Sequence, residues 1–206
     1  NGTSFPLAPG ADAVIAVNGA IDHAAQYPLS VNLNKPGYFA CYNNVYYWNT
    51  MYHPAPGDQI SRDHYLDVVI KLGQANAYTF SIFSPATVIF KAQDTTIQEY
   101  VQQTGSVIQK PGSTVDQVIK IPLDWVIDGV EVYYGGGGGG GSSSNKKRIS
   151  PSIDAGYVSQ SALYDGRSLH RRVDEEASKE AGYEILEDTN NSSADFYERE
   201  QQSLHE

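Results

Sequence analysis

Up to residue 134, apolar and polar positions alternate with a period of two in short runs, the pattern of strands that bury one face. The runs fall at 13–17, 29–33, 38–42, 45–52, 65–72, 78–83, 87–91, 115–121 and 125–134. Between them stand Asn18-Gly19, Lys35-Pro36-Gly37, Pro54-Ala55-Pro56-Gly57, Leu72-Gly73, Ser84-Pro85, Lys110-Pro111-Gly112 and Asp128-Gly129. Glycine reaches positive φ without steric cost, and proline presets one turn dihedral while withholding a ladder donor, so these read as turns. Many short strands punctuated in this way predict a mainly β fold, an antiparallel β-sandwich or a partly open barrel. Two stretches break the alternation. Residues 20–26 lean helical, and 94–104 set Ile97 and Val101 four apart, as on one face of a short helix.

The pattern stops at an unbroken glycine run, Gly135 to Gly141, followed by Ser142, Ser143 and Ser144. Such a segment predicts a flexible linker over 135–145. Beyond it, residues 142–206 hold eight Lys or Arg and thirteen Asp or Glu, with few large aliphatics. That composition predicts a disordered acidic tail over 146–206, because little apolar surface is on hand to offset the ordering entropy. Within it, Val173, Ala177, Ala181 and Ile185 repeat at helical spacing behind Asp174, Glu175 and Glu176, and Ser193 could cap a shorter helix through Leu204. Both read as nascent helices. The expected organisation is therefore a globular domain at 1–134, a linker and a tail.

Formal net charge is -10. A polyanionic surface repels phosphate backbones, so nucleic-acid binding is excluded as a main role. No apolar run approaches the roughly 20 residues that span a bilayer, so no membrane insertion is expected. Cys41 is the lone cysteine, which rules out an intrachain disulfide and on usage alone would favour the cytosol. Other features point outside the cell. The chain begins at Asn1 rather than Met, as a mature product would. Glycosylation sequons occur at Asn1, Asn190 and Asn191, and Tyr outnumbers Phe by 15 to 6.

Four features could carry function. The first is the aromatic run from Tyr38 to Tyr52. Strand alternation there would place Asn44, Tyr46, Trp48, Thr50 and Tyr52 on one face, with Val45, Tyr47, Asn49 and Met51 on the other. Flat rings interleaved with Asn and Thr suit stacking against a sugar face or contact with a protein partner; the alternative is that the rings pack between sheets. The ligand-binding candidates are thus Asn44, Tyr46, Trp48 and Tyr52. The second feature is the loop from His53 to His64, which carries Asp58, Arg62 and Asp63. His with a carboxylate could perform acid–base chemistry, and Arg62 could hold an anionic group, so His53, Asp58, Arg62 and His64 are the catalytic candidates. The spacing matches no zinc pattern, and a solvated Pro-rich loop accounts for the same residues.

The third feature is Lys146-Lys147-Arg148, with a second basic pair at Arg171-Arg172. In an exposed segment, Lys147 and Arg148 would be a processing site, a nuclear address or simply solubilising charge. The fourth is the set Tyr157, Tyr164, Tyr183 and Tyr197, open to sulfation or phosphorylation if exposed. No phosphate loop and no Gly-x-Ser-x-Gly elbow occurs, and Cys41 reads as a buried apolar residue. The reading that follows is a secreted, non-enzymatic recognition module for a carbohydrate or protein ligand, needing no cofactor and no metal. A small secreted hydrolase using the His53–His64 loop is one alternative, and a structural or surface-coat subunit with exposed strand edges is another.

Overall fold

Three short strands open the chain: β1 (Val14–Ala16), β2 (Tyr38–Cys41) and β3 (Tyr65–Leu66). They pair in parallel in the order β1-β2-β3, with Val14 opposite Tyr38 and Ala40 opposite Tyr65. Parallel pairing needs a long crossover, and 17–37 and 42–64 supply it, whereas the sequence pattern suggested antiparallel neighbours. Of this computed structural model, residues 7–16, 22, 24, 32–41, 43–48, 65–71, 86–134, 147–162 and 166–200 are described. The expected strands at 78–83 and most of 29–33 lie outside them.

The chain divides into two units, Asn1–Phe80 with Thr95–Lys120, and Ser81–Asp94 with Ile121–Glu206. In the first, Lys35-Pro36-Gly37 forms the turn that its composition predicts: Gly37 has φ 82° and the Tyr38 N–H donates to Lys35 O at 3.1 Å. Ala16, Ala40, Cys41 and Tyr47 are buried there. Helix α1 (Ile97–Tyr100) begins at a capping box. Glu99 N–H donates to Thr96 Oγ1 at 3.2 Å, and Thr96 N–H returns a bond to Glu99 Oε2 at 3.0 Å. Strand β5 (Val107–Gln109), which the pattern did not mark, pairs antiparallel with β6 (Gln117–Ile119) across the Gly112 turn, where φ is 81°.

The second unit is built on β7 (Val126–Tyr134), flanked by β4 (Ala86–Phe90) in antiparallel and β8 (Val158–Gln160) in parallel. Asp128-Gly129, expected to be a turn, lies inside β7 with Gly129 opposite Val88. A Cβ on Gly129 would meet Ile153 Cγ2 at 3.0 Å, Ile149 Cδ1 at 3.2 Å and Val88 Cγ2 at 3.3 Å. Glycine is there for close packing, not for a turn.

Residues 147–200, expected to stay unpacked, carry five elements: β8, β9 (Ser168–Arg171), α2 (Glu175–Ala181), α3 (Ser192–Asp195) and β10 (Phe196–Arg199). The division expected at 134 does not occur there, since β7 and β8 share a sheet. Two physical reasons overturn the composition argument. A handful of aliphatics suffices, because Ile149 and Val158 are buried and Ile153 covers Gly129. The charges are also used internally rather than left to water. Glu131, Asp154 and Asp195 are 0%, 1% and 1% exposed, and Lys147 Nζ sits 2.7 Å from Glu131 Oε2 and 3.5 Å from Asp154 Oδ2. Asp154 Oδ1 accepts the N–H groups of Gly156 and Ser192, both at 2.9 Å, and its Oδ2 accepts Ser192 Oγ–H at 2.8 Å. Burial alone would raise the Asp154 carboxyl, but the Ser192 and Gly156 donors and the Lys147 charge outweigh it and hold the group below its ordinary value. Thr189 donates through both N–H and Oγ1 to Asp195, and Arg171 reaches Asp128 on β7 at 2.6 Å while lying over the Phe196 ring.

Helix α2 occupies the stretch where helical spacing was expected, with Asp174 accepting from Ala177 N–H at 2.9 Å as N-cap and Gly182 at φ 78° ending it. The second expected helix differs. Asn191, not Ser193, caps α3, which is four residues long and passes into β10 rather than running to Leu204. Strands β9 and β10 pair antiparallel, Arg171 opposite Phe196. The mainly β, antiparallel character expected from alternation holds for β4–β7, β5–β6 and β9–β10, and no barrel closes among the described residues. No helix among those residues is long and apolar enough to cross a membrane.

Candidate recognition surface

The aromatic run leaves β2 and folds back at once. Asn43 Oδ1 accepts the N–H groups of Val45 at 2.9 Å and Tyr46 at 3.3 Å, while its carbonyl accepts from Tyr47 N–H at 2.9 Å. These bonds make 44–46 a turn where alternation had placed the start of a strand. Asn43 Nδ2 donates to Asp67 Oδ1 at 3.2 Å and to Val68 O at 3.3 Å, and the Tyr46 hydroxyl donates to Val69 O at 3.2 Å. The turn is thereby clamped to the segment that follows β3.

The clamp decides which rings face water. Tyr47 is 8% exposed and its hydroxyl titrates above the ordinary range, first through burial and then through Cys41 and Tyr46. Trp48 is 70% exposed and Val45 83%. Asn44 is exposed and Tyr46 half-buried, so strict two-face alternation does not describe the run. A groove of about 290 Å³ lies beside the turn. Val45, Tyr46, Val68 and Val101 give it apolar walls; Asp67 and the carboxamides of Asn43, Gln98 and Gln102 give it polar ones. Among the described residues that line it, Asp67 carries the only charge, which disfavours an anionic ligand there.

Of the other candidates, Tyr52, His53, Asp58, Arg62, His64 and Asn1 lie outside the described residues, as does Tyr164 of the tail tyrosines. Lys147 and Arg148 are not solvated linker: Lys147 holds the two buried carboxylates, and Arg148 N–H donates to Glu131 Oε1. Cleavage there would break those bonds. Asn190 is exposed at φ 55°, and Asn191 is spent as the α3 cap. The serine of the Asn190 sequon, Ser192, is buried and bonded to Asp154. Tyr157 stacks on Tyr133 at 4.2 Å between ring centroids, and Arg172 lies over the Tyr197 ring. Among the described residues no group of three His, Cys, Asp or Glu is placed to hold a metal ion. The Asn43 clamp and the groove beside it are what sequence reasoning missed; the signal was Asn43 itself, an Asx residue just after a strand.

The chain matches the model of DUF4876, described as a protein of unknown function, over residues 8–203, and belongs to that family. The match runs through 147–200, the segment that packs on β7. In three dimensions it is similar to the crystal structure of a DUF4876 family protein from Bacteroides thetaiotaomicron VPI-5482, with a TM-score of 0.67 at 29% identity. That alignment covers 96% of this chain and 50% of the other, so this chain spans about half the length of that protein. No curated protein matches it.

Proposed function

We propose that this chain is a recognition module, not an enzyme, and that it contacts a neutral carbohydrate or a protein ligand through the 43–48 turn and its groove. The observation that carries the reading is Trp48, an indole 70% exposed on a turn that hydrogen bonds hold rigid. The turn that precedes it is already held by the Asn43 bonds, so a partner that contacts Trp48 loses little entropy in ordering that segment. An extracellular setting completes the proposal, supported by the Tyr-rich composition; fractionation of the native host tests it, with the chain in the medium or outside the inner membrane as the expected result.

The binding test is a neutral-glycan array, with an extended-peptide array in parallel, probed by the wild-type chain and Trp48→Ala. Binding should weaken by about 2 kcal/mol, roughly thirtyfold in Kd, while stability changes by less than about 1 kcal/mol. Undiminished binding by Trp48→Ala, or a stability loss of about 3–5 kcal/mol, would show that Trp48 is not a contact but a core ring.

A further inference from the structure

The second unit buries Glu131 and Asp154 around a single ammonium. Lys147 Nζ lies 2.7 Å from Glu131 Oε2, 2.7 Å from Gly156 O and 3.5 Å from Asp154 Oδ2. Asp154 Oδ1, on the other side of the same carboxyl, takes two backbone N–H groups, from Gly156 and Ser192, both at 2.9 Å. An ion pair alone needs neither the second carboxylate nor a pair of N–H groups on one oxygen. Together they are the parts of an acyl transfer: an amine, a carboxyl carbon, a base on the amine, and donors placed where an oxyanion would form. The reactants belong to one folded chain, and effective molarities for well-held intramolecular reactions reach about 10⁵–10⁸ M.

We propose that Lys147 and Asp154 condense to an intramolecular amide cross-link, with Glu131 as the proton-transfer residue. Glu131 takes one proton from the ammonium, freeing the Nζ lone pair. That proton passes to Asp154 Oδ2, so that Nζ bonds to the Cγ of a carboxylic acid rather than a carboxylate, and negative charge on Oδ1 is held by the Gly156 and Ser192 N–H groups. The Cγ–Oδ2 bond breaks. Oδ2 leaves as water with that first proton and a second one from Nζ, and the third Nζ proton remains as the amide N–H, facing Gly156 O. Lysine ammonium plus aspartate becomes amide plus water, Glu131 returns to its carboxylate, and no oxidant or reductant is consumed. Condensation removes the Lys147 and Asp154 charges, and Glu131, buried and left without its ammonium, takes up a proton from solvent. The Lys147 side chain is 28% exposed, which gives the released water a way out. The cross-link closes the loop from Lys147 to Asp154, whose Oδ1 holds the Ser192 N–H at the start of α3.

The test is the intact mass of the denatured full-length chain, followed by tryptic mapping. The wild type should weigh one water less than its sequence. Its digest should contain a branched peptide joining Lys147-Arg148 to residues 149–167. Lys147→Arg should have its full sequence mass. Asp154→Asn should form the same linked product with loss of ammonia instead of water. Glu131→Gln should keep its full mass, or acquire the link far more slowly than wild type. A wild-type chain at its full sequence mass, with no branched peptide, overturns the proposal. The masses are read on unfolded chains, so a variant that folds poorly leaves the wild-type result decisive.

Discussion

Gly156→Ala tests how the C-terminal segment is held. An added Cβ at this position would lie 2.1 Å from Asn191 Oδ1, 2.5 Å from Ser193 Oγ and 2.7 Å from the Ser193 backbone N. The first two atoms can move only by giving up bonds. Asn191 would lose its cap on Ser193 N–H, worth about 1 kcal/mol. Ser193 Oγ would lose its exchange with Tyr157, which it joins through both N–H and C=O, for roughly another 1 kcal/mol. The backbone N cannot move without shifting α3 and with it the Ser192 N–H on Asp154. Overpacking adds about 1–3 kcal/mol. The expected loss is about 4 kcal/mol, close to 10 °C in Tm for a chain of this size. The assay is urea denaturation followed by Trp125 fluorescence in a Trp48→Phe background, since Trp125 is buried in the same unit. Gly182→Ala is the control: φ is 78° and nothing lies within 4 Å of its Cβ, so only the left-handed backbone strain of about 1–2 kcal/mol applies. If Gly156→Ala is no worse than Gly182→Ala, α3 is not seated against the 154–157 turn as described.

Two further outcomes follow from the same packing. A chain ending at Tyr134 should lose the cooperative transition reported by Trp125, because β7 would lose β8 and the cover of Ile149 and Ile153; an unchanged melt would mean that 147–200 contributes no core. In Lys147→Arg, Asp154 stays a titratable carboxyl whose folded value is depressed, so its stabilisation is complete above the unfolded value of about 3.9 and fades as pH falls through the lower folded value. Urea midpoints of this variant should therefore drop between pH 7 and pH 3 by more than those of Lys147→Arg/Asp154→Ala, and equal drops would contradict the assignment.

The β character was legible because local signals agreed with the fold. Lys35-Pro36-Gly37 and Lys110-Pro111-Gly112 form turns as their chemistry dictates, and Ile97 and Val101, four apart, marked the stretch where α1 forms. Asp128-Gly129 misled because a glycine admitting Ile149 and Ile153 is indistinguishable in sequence from a glycine supplying positive φ. The C-terminal segment was illegible for a related reason. Composition counts Glu131, Asp154, Asp195 and Lys147 as solvated charges, whereas the fold pairs them across sequence separations that a local window does not see. Its β10 was hidden behind an apparent helix cap at Ser193. Near the candidate site the aromatic run stood out, but its shape depended on one side chain: Asn43 bonding back to Val45 and Tyr46 converts a strand into a turn, and only then does Trp48 face outward while Tyr47 is buried.

The recognition reading is tested most directly on Trp48 itself. Trp125→Phe leaves Trp48 as the sole indole, and acrylamide quenching is then measured with and without the ligand selected on the arrays. Free protein should emit at the long wavelengths of a solvated indole and quench readily, and saturating ligand should shift the emission to shorter wavelength and shield it. Emission already blue and unquenched in the free protein would contradict the exposed platform. Quenching unchanged by a ligand that binds would place recognition elsewhere on the molecule.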